Sequence, residues 1–298
     1  MIRYTALCKI LECGSFTKAA EALGYTQAAV SQMISSLENE FSVKLLIRTR
    51  SGVRLTPEGQ QLYPFILKTV SNARELANKV NEINGLVSGE VRLGMFSSLS
   101  QHVLPALLKE FGAVYPDINF VLYGGDNKTL PELVRSGAID CAFIYPCAAH
   151  GLKCKRLIRE KFLALVPENH RLATEDVLPL KEMAKEKLII VEEGGDINTI
   201  LDAFSEIGQT PDVRFRIQDD STIMAMVEKG FGVSMLSAMT LEHSTYRFKK
   251  MITDPPVERE IGVAYADPAT LSAATRRFLE FTYQHLGALL SEEYVQML

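Results

Sequence analysis

The chain has 298 residues, 47% of them hydrophobic, which is enough to bury a sizeable core and to divide into more than one domain. A formal net charge of −4 and a pI near 5.8 give no support to a wholly basic nucleic-acid coat, so any DNA-binding role must rest on local charge. No secretory leader or membrane-length apolar run is evident and the five cysteines are scattered, so a soluble, cytoplasmic protein with reduced thiols is expected.

The first elements are helical. Tyr4, Leu7, Cys8 and Leu11 form one apolar stripe, and Val30, Ile34, Leu37 and Phe41 form another. Between them, Ser15 to Gly24 combines a serine start, an alanine-rich body and a glycine stop. The pattern predicts three short helices, the last two joined as a helix-turn-helix through Gly24-Tyr25-Thr26. In that motif the second helix enters the major groove of duplex DNA. Thr26 is its cap, and with Val30, Ile34 and Leu37 facing inward, Gln27, Ala28, Ser31, Gln32 and Ser35 face outward. Glutamine can pair bidentately with adenine, serine can bond base or phosphate, and an alanine methyl can touch the thymine methyl.

Leu46 to Leu55 reads as a hairpin with Ser51-Gly52 at its tip and Arg48, Arg50 and Arg54 on its flanks. Beside a recognition helix such a hairpin is a wing placed to grip phosphate, although three arginines alone would fit a solvated face equally well. Thr56-Pro57 starts a further helix. Along it Leu62, Ile66, Thr69, Ala73, Leu76, Val80 and Ile83 follow alternating steps of four and three, a seam suited either to its own domain or, preferably, to a second copy. Pro64 should kink this helix, and Gly85 to Gly89 should end it in a short linker.

From Glu90 onward, β-rich runs alternate with helical ones. Strands are expected at Val91 to Met95, Asn119 to Leu122, Cys141 to Ile144, Phe162 to Val166, Leu188 to Val191, Val213 to Ile217, Val233 to Leu236 and Ile261 to Ala266. Helices are expected at Leu104 to Val114, Leu130 to Ser136, Leu180 to Lys185, Thr199 to Ile207, Ile223 to Lys229 and Leu271 to Leu289. The alternation implies a mostly parallel sheet covered on both faces, with ligand at the carboxyl ends of its strands.

Several loops at those strand ends carry polar chemistry. Ser97 and Ser98, with Gln101 behind them, precede a helix and suit either capping or an anion. Gly124-Gly125-Asp126-Asn127, Asp219-Asp220-Ser221-Thr222 and Glu192 to Asp196 are cleft candidates, with turn chemistry as the plainer alternative. Cys147, His150 and Cys154 invite a metal or thiol-switch reading, but a zinc site needs a fourth ligand and no second cluster exists. No Gly-x-Ser-x-Gly, P-loop, Gly-x-Gly-x-x-Gly or His-Glu-x-x-His motif supports an enzyme, and His102, His150, His170, His243 and His285 are scattered. A standalone solute-binding protein would lack the helix-turn-helix.

Taken in order, Gly14 to Ala20, Leu23, Thr26 to Ser31, Ile34, Leu37-Glu38, Leu45, Arg48 and Leu55 to Gly59 resemble the LysR-type transcriptional regulators. The resemblance continues through Arg92-Leu93-Gly94, Leu104-Pro105, Phe111, Tyr115-Pro116, Gly137 to Asp140 and Gly230 to Val233. Departures are Ala28 where the family often has proline, Ser42 where it favours glycine, Leu46 for phenylalanine and Ser237 for proline. The resemblance implies a winged helix-turn-helix over 1–59, a dimerising linker helix over 60–86, and a two-lobed α/β effector domain over 88–298 similar to periplasmic binding proteins. Lobe I would comprise 88–160 and 263–298, and lobe II 161–262, with crossovers near Arg159 to Lys161 and Ile261 to Val263. It further implies operator half-sites on duplex DNA, a homodimer or tetramer, RNA polymerase as a partner, no cofactor, and a small-molecule effector of unknown identity. Effector contacts are expected at Ser97, Ser98, Gln101, Gly125, Asn127 and Thr222. The alternatives are a redox-sensing regulator acting through Cys147 and Cys154, and an enzyme on a two-lobed body.

Overall fold

The computed structural model describes residues 1–49, 52–83, 88–174, 176–242, 244–290 and 295–298. Arg50 and Ser51 of the expected wing, Gly85 of the expected linker and His243 therefore lie outside the described residues.

The N-terminal unit begins with α1 (Ile2–Cys13), α2 (Phe16–Leu23) and α3 (Gln27–Phe41). Their apolar stripes meet in one core: Leu7 and Ile10 of α1, Ala19 and Ala20 of α2, and Val30, Ile34 and Leu37 of α3 are buried together. The turn between α2 and α3 depends on Gly24, whose φ of 72° is left-handed and whose N–H closes on the carbonyls of Ala20 and Glu21. Thr26 Oγ1 accepts from Ala29 N at 3.2 Å and so caps α3, as its position in the sequence predicts.

The wing is the antiparallel pair β1 (Leu46–Thr49) and β2 (Gly52–Leu55), in register from Leu46 opposite Leu55 to Thr49 opposite Gly52. Glu38 ties it to α3, because its carboxylate accepts from Leu45 N at 2.9 Å, Leu46 N at 3.3 Å and Lys44 Nζ at 2.6 Å. Thr56 Oγ1 donates to Lys44 O and accepts from Gly59 N, which starts α4 (Pro57–Ile83). A Cβ at Gly59 would stand 2.3 Å from Leu45 O, so no larger residue fits this approach.

The helix α4 continues through Pro64 and divides its apolar residues between two uses. Ile66 and Val70 are buried, with Leu62, Tyr63 and Leu67 packed beside them on the head's own core. Phe65, Leu76, Val80 and Ile83 are instead 72%, 68%, 48% and 75% exposed. The seam is thus packed into the head at Leu62 and Ile66 and exposed at Leu76, Val80 and Ile83.

The second unit contains β3 (Gly89–Met95), α5 (Ser97–His102), α6 (Leu104–Val114), β4 (Ile118–Gly124), α7 (Thr129–Arg135), β5 (Cys141–Ile144) and β6 (Lys153–Val166). It continues with β7 (Val177–Pro179), α8 (Leu180–Met183), β8 (Lys187–Val191), α9 (Thr199–Glu206), β9 (Asp212–Ile217) and α10 (Asp220–Glu228). After these come β10 (Val233–Ser237), α11 (Ala238–Leu241), β11 (Lys249–Asp254), β12 (Glu258–Tyr265), α12 (Ala273–His285) and β13 (Val295–Met297).

Two lobes result. One is built on the parallel strands β4-β3-β5 and the other on the parallel strands β10-β8-β9. Between them β12 and β6 run antiparallel to each other and to their neighbours, so the sheet is mixed, and the expectation of a mostly parallel one is corrected. The physical reason is the crossover itself, since strands passing between lobes must return against the direction of the strands they join. Strand β6 is 14 residues long where the sequence suggested only Phe162 to Val166, because the charges of Lys153 to Lys161 mask its first half. Pairing of β12 with β6 starts at Glu258, upstream of the return crossover expected at Ile261 to Val263.

Candidate functional site

The outward face of α3 carries the residues that its periodicity exposes. Thr26, Gln27, Ala28, Gln32 and Ser35 are exposed, and Ser31 is half-buried. Arg48 and Arg54 stand exposed on β1 and β2, while Arg50 falls outside the described residues. Arg48 does not simply extend from the wing. Its Nη2 donates to Ser31 Oγ at 3.1 Å and its guanidinium lies 4.3 Å from the centre of the Phe16 ring. Gln27 Nε2 donates to the same Ser31 oxygen at 2.9 Å. A small polar surface on α3 is therefore braced by the wing.

In the second unit a cavity of about 500 Å³ opens between the lobes, within the size range of small-molecule sites. Of the expected contacts, Ser97, Ser98, Gly125 and Asn127 line it. Gln101 lines an adjoining cavity of about 370 Å³ with Asp219 and Asp220. Thr222 lines neither; its N–H and hydroxyl both bond to Asp219, which caps α10. The Glu192-Glu193 segment does reach the cavity wall.

The centre of the site is a residue that sequence reasoning passed over. Arg259, on β12, is buried beneath the cavity and uses each nitrogen of its fork: Nε donates to Glu160 Oε2 at 2.8 Å, Nη1 to the Tyr145 hydroxyl at 2.8 Å, and Nη2 to Ser98 Oγ at 2.9 Å. Phe96, Tyr145 and Phe162 surround its plane at 5.0, 5.5 and 5.2 Å. Burial alone would lower the Arg259 pKa, but Glu160 and Tyr145 outweigh it and the guanidinium stays charged. Glu160 is completed by Ser237 Oγ at 2.7 Å and Met239 N at 2.9 Å. The serine standing where the family favours proline is thus the residue whose hydroxyl satisfies this buried carboxylate.

Polar side chains from both lobes meet around this pair. Asn127 Nδ2 donates to Glu193 O at 3.2 Å, the Tyr145 hydroxyl donates to the Glu193 carboxylate, and Thr240 Oγ1 donates to Asp220 Oδ2 at 3.4 Å. Burial pushes the Asp220 carboxyl up, against the attraction of Arg259 and the hydrogen bonds of Thr240 and Ser97. Burial likewise raises Tyr145, which remains a neutral donor.

A signal for Arg259 and Glu160 did exist in the alternation. Arg259, Ile261 and Val263 occupy one face of β12, as Ile158, Glu160, Phe162 and Ala164 occupy one face of β6, so each charge interrupts an otherwise apolar face. What the alternation lacked was the pairing of the two strands.

Elsewhere, Cys147 is exposed and Cys154 half-buried, and burial raises both thiols, which disfavours the thiolate a redox switch requires. Among the described residues, no three His, Cys, Asp or Glu side chains stand close enough to hold a metal ion.

Residues 3–60 match the family described as bacterial regulatory helix-turn-helix proteins of the lysR family, and residues 84–287 match the LysR substrate binding domain. The chain is 31% identical over 288 residues to an uncharacterized HTH-type transcriptional regulator, YvbU, of Bacillus subtilis, covering 94% of this chain and 96% of that one. It is also 31% identical over 273 residues to the transcriptional dual regulator GltC of the same organism, covering 90% of each. Among solved structures it resembles HinK, a LysR family transcriptional regulator from Pseudomonas aeruginosa, with a TM-score of 0.63, 25% identity, and coverage of 96% and 98%.

Proposed function

The chain belongs to the LysR family of helix-turn-helix transcriptional regulators, and from that premise we propose that a small polar effector in the interlobe cavity controls how a dimer of this chain engages operator half-sites. The observation that carries the reading is the set of contacts crossing the cavity. Ser98, Arg259, Glu160 and Asn127 with Glu193 hold the two lobes to each other, so a guest among them must exchange contacts and bias lobe closure.

On the DNA side, Thr26, Gln27, Ala28, Ser31, Gln32 and Ser35 face the major groove, and Arg54 and Arg50 meet phosphate. The exposed Leu76, Val80 and Ile83 of α4 pair with a second copy, and two dimers join as a tetramer that presents its half-sites to RNA polymerase. The domain bounds follow the same reading: head 1–59, linker helix 60–86, lobe I 88–160 with 263–298, and lobe II 161–262. Ser97, Ser98, Gln101, Gly125, Asn127 and Thr222 are assigned to the effector or to the loops that shape its pocket. The work of such a protein is binding, not catalysis, and its place is the cytoplasm where the chromosome is. Among the described residues no helix is long and apolar enough to cross a membrane.

The test uses the full chain and a randomised duplex library, followed by a thermal-shift screen of a metabolite panel. Enrichment of a defined duplex, and a ligand shift that Ser97→Trp abolishes while duplex binding persists, is the expected result. A ligand shift unaffected by Ser97→Trp would move the site out of the cleft.

A further inference from the structure

Two hydrogen bonds converge on a single oxygen of the recognition helix. Gln27 and Ser31 lie one turn apart on α3, and Gln27 Nε2 donates to Ser31 Oγ at 2.9 Å. Arg48 arrives from the wing and donates to the same atom at 3.1 Å, while Phe16 at the start of α2 supports its guanidinium plane. A serine hydroxyl has two acceptor lone pairs and one hydrogen. With both lone pairs engaged, the hydrogen of Ser31 is left to be donated outward. Gln27 commits one amide N–H to Ser31, which sets the rotation of its amide and leaves Oε1 and the second N–H facing away. That acceptor and donor complement the N6 and N7 edge of adenine.

We propose that Arg48 is a specificity-determining positioning residue: through Ser31 it orients the Gln27 amide for adenine and makes Ser31 a donor to a base or phosphate acceptor. The inference rests on the reading of α3 as the DNA-reading helix, and it changes the role expected of Arg48 from its place in the wing. A phosphate grip needs charge and reach. It needs neither the stacking on Phe16 nor the bond to Ser31, and both hold the fork against the helix instead of projecting it toward the backbone of the duplex. The same contacts join α2, α3 and the wing at one point, so the geometry of the reading surface is set before DNA arrives.

The full chain, with Arg48→Lys, Arg48→Ala, Ser31→Ala and the Arg48→Ala/Ser31→Ala pair, is tested on the duplex that the native chain enriches from a randomised library. Binding to that duplex and to its single-base variants is measured across a salt series. Lysine keeps the charge but lacks the planar fork, so it separates positioning from phosphate neutralisation. The expected result is a loss of about tenfold in discrimination at the same base pair in Arg48→Lys, Arg48→Ala and Ser31→Ala. The double variant should discriminate no worse than Ser31→Ala alone, because one chain of contacts is being cut twice. Native base preference in Arg48→Lys would overturn the proposal, whatever the salt slope. A slope reduced by about one in Arg48→Ala with preference intact would assign Arg48 to phosphate instead. Failure of the native chain to enrich any duplex would overturn the DNA-reading assignment itself, an outcome distinct from both.

Discussion

Arg259 and Glu160 face each other in register across β12 and β6, with Nη2 and Oε2 2.7 Å apart and both side chains buried between the lobes. Desolvating two charges is expensive, and the attraction between them offsets that only where the remaining groups are satisfied. Here Ser98, Tyr145, Ser237 and Met239 N supply those groups, so the pair acts as one unit with the cavity floor.

Removing one partner should therefore be worse than removing both. Glu160→Ala is expected to destabilise the effector domain by about 3 to 5 kcal/mol, since it leaves Arg259 buried without its ion-pair partner. Arg259→Met combined with Glu160→Leu should lose much less. Urea denaturation of the full chain measures both, and equal losses would show that packing, not the unpaired charge, is responsible.

The head has its own pH signature. Burial raises the Glu38 carboxyl, but Lys44 and the N–H groups of Leu45 and Leu46 outweigh it, so the folded pKa lies below the ordinary 4.5. The unfolded state then binds the proton more readily, and the stabilisation is present above that ordinary value and is lost as pH falls through the folded one. Glu38→Gln should destabilise the head at neutral pH by about 1.5 to 3 kcal/mol and flatten its acid transition. Denaturation midpoints at a series of pH values check this; an acid transition as steep as the native one would remove Glu38 from its causes.

Ser42 ends α3 at a φ of 55°, a left-handed conformation in which a side chain is strained, at the position where the family favours glycine. Relief of about 1 to 2 kcal/mol is partly offset by the greater freedom of glycine in the unfolded chain, about 0.5 to 1 kcal/mol. Ser42→Gly should thus stabilise the head by about 0.5 to 1 kcal/mol. A lower thermal midpoint would show that the serine makes a compensating contact.

Leu76 is 68% exposed on α4, and pairing with a second copy would bury it twice by symmetry. Leu76→Glu should weaken the dimer by at least about 1.5 to 3 kcal/mol for each copy buried. Sedimentation at micromolar concentration reads the change, and an unaltered mass would place the dimer contact elsewhere.

Much of the head was legible in the sequence. Thr26 caps, Gly24 turns, and Val30, Ile34 and Leu37 face inward because each follows from neighbours within one or two helical turns. In the effector domain the same local logic found β3 and α6 and brought Ser97, Ser98, Gly125 and Asn127 to the cavity wall. It missed the first half of β6, whose charges hide the strand period, and it did not foresee that Thr222 donates through both its N–H and its hydroxyl to Asp219, the cap of α10.

What the sequence alone determined is the helix-turn-helix, the hairpin beside it, the long helix and the alternation of strands and helices after Glu90, all of them consequences of periodicity and capping over short spans, while the two lobes were implied by the family resemblance. Only the tertiary structure decided that α4 divides its apolar residues between its own core and an open face, that Arg48 braces Ser31, and that Arg259 meets Glu160. Those relationships join residues 17 and 99 positions apart. Strand register and helix packing set them, and no local pattern of side chains encodes which distant partner a buried charge will find.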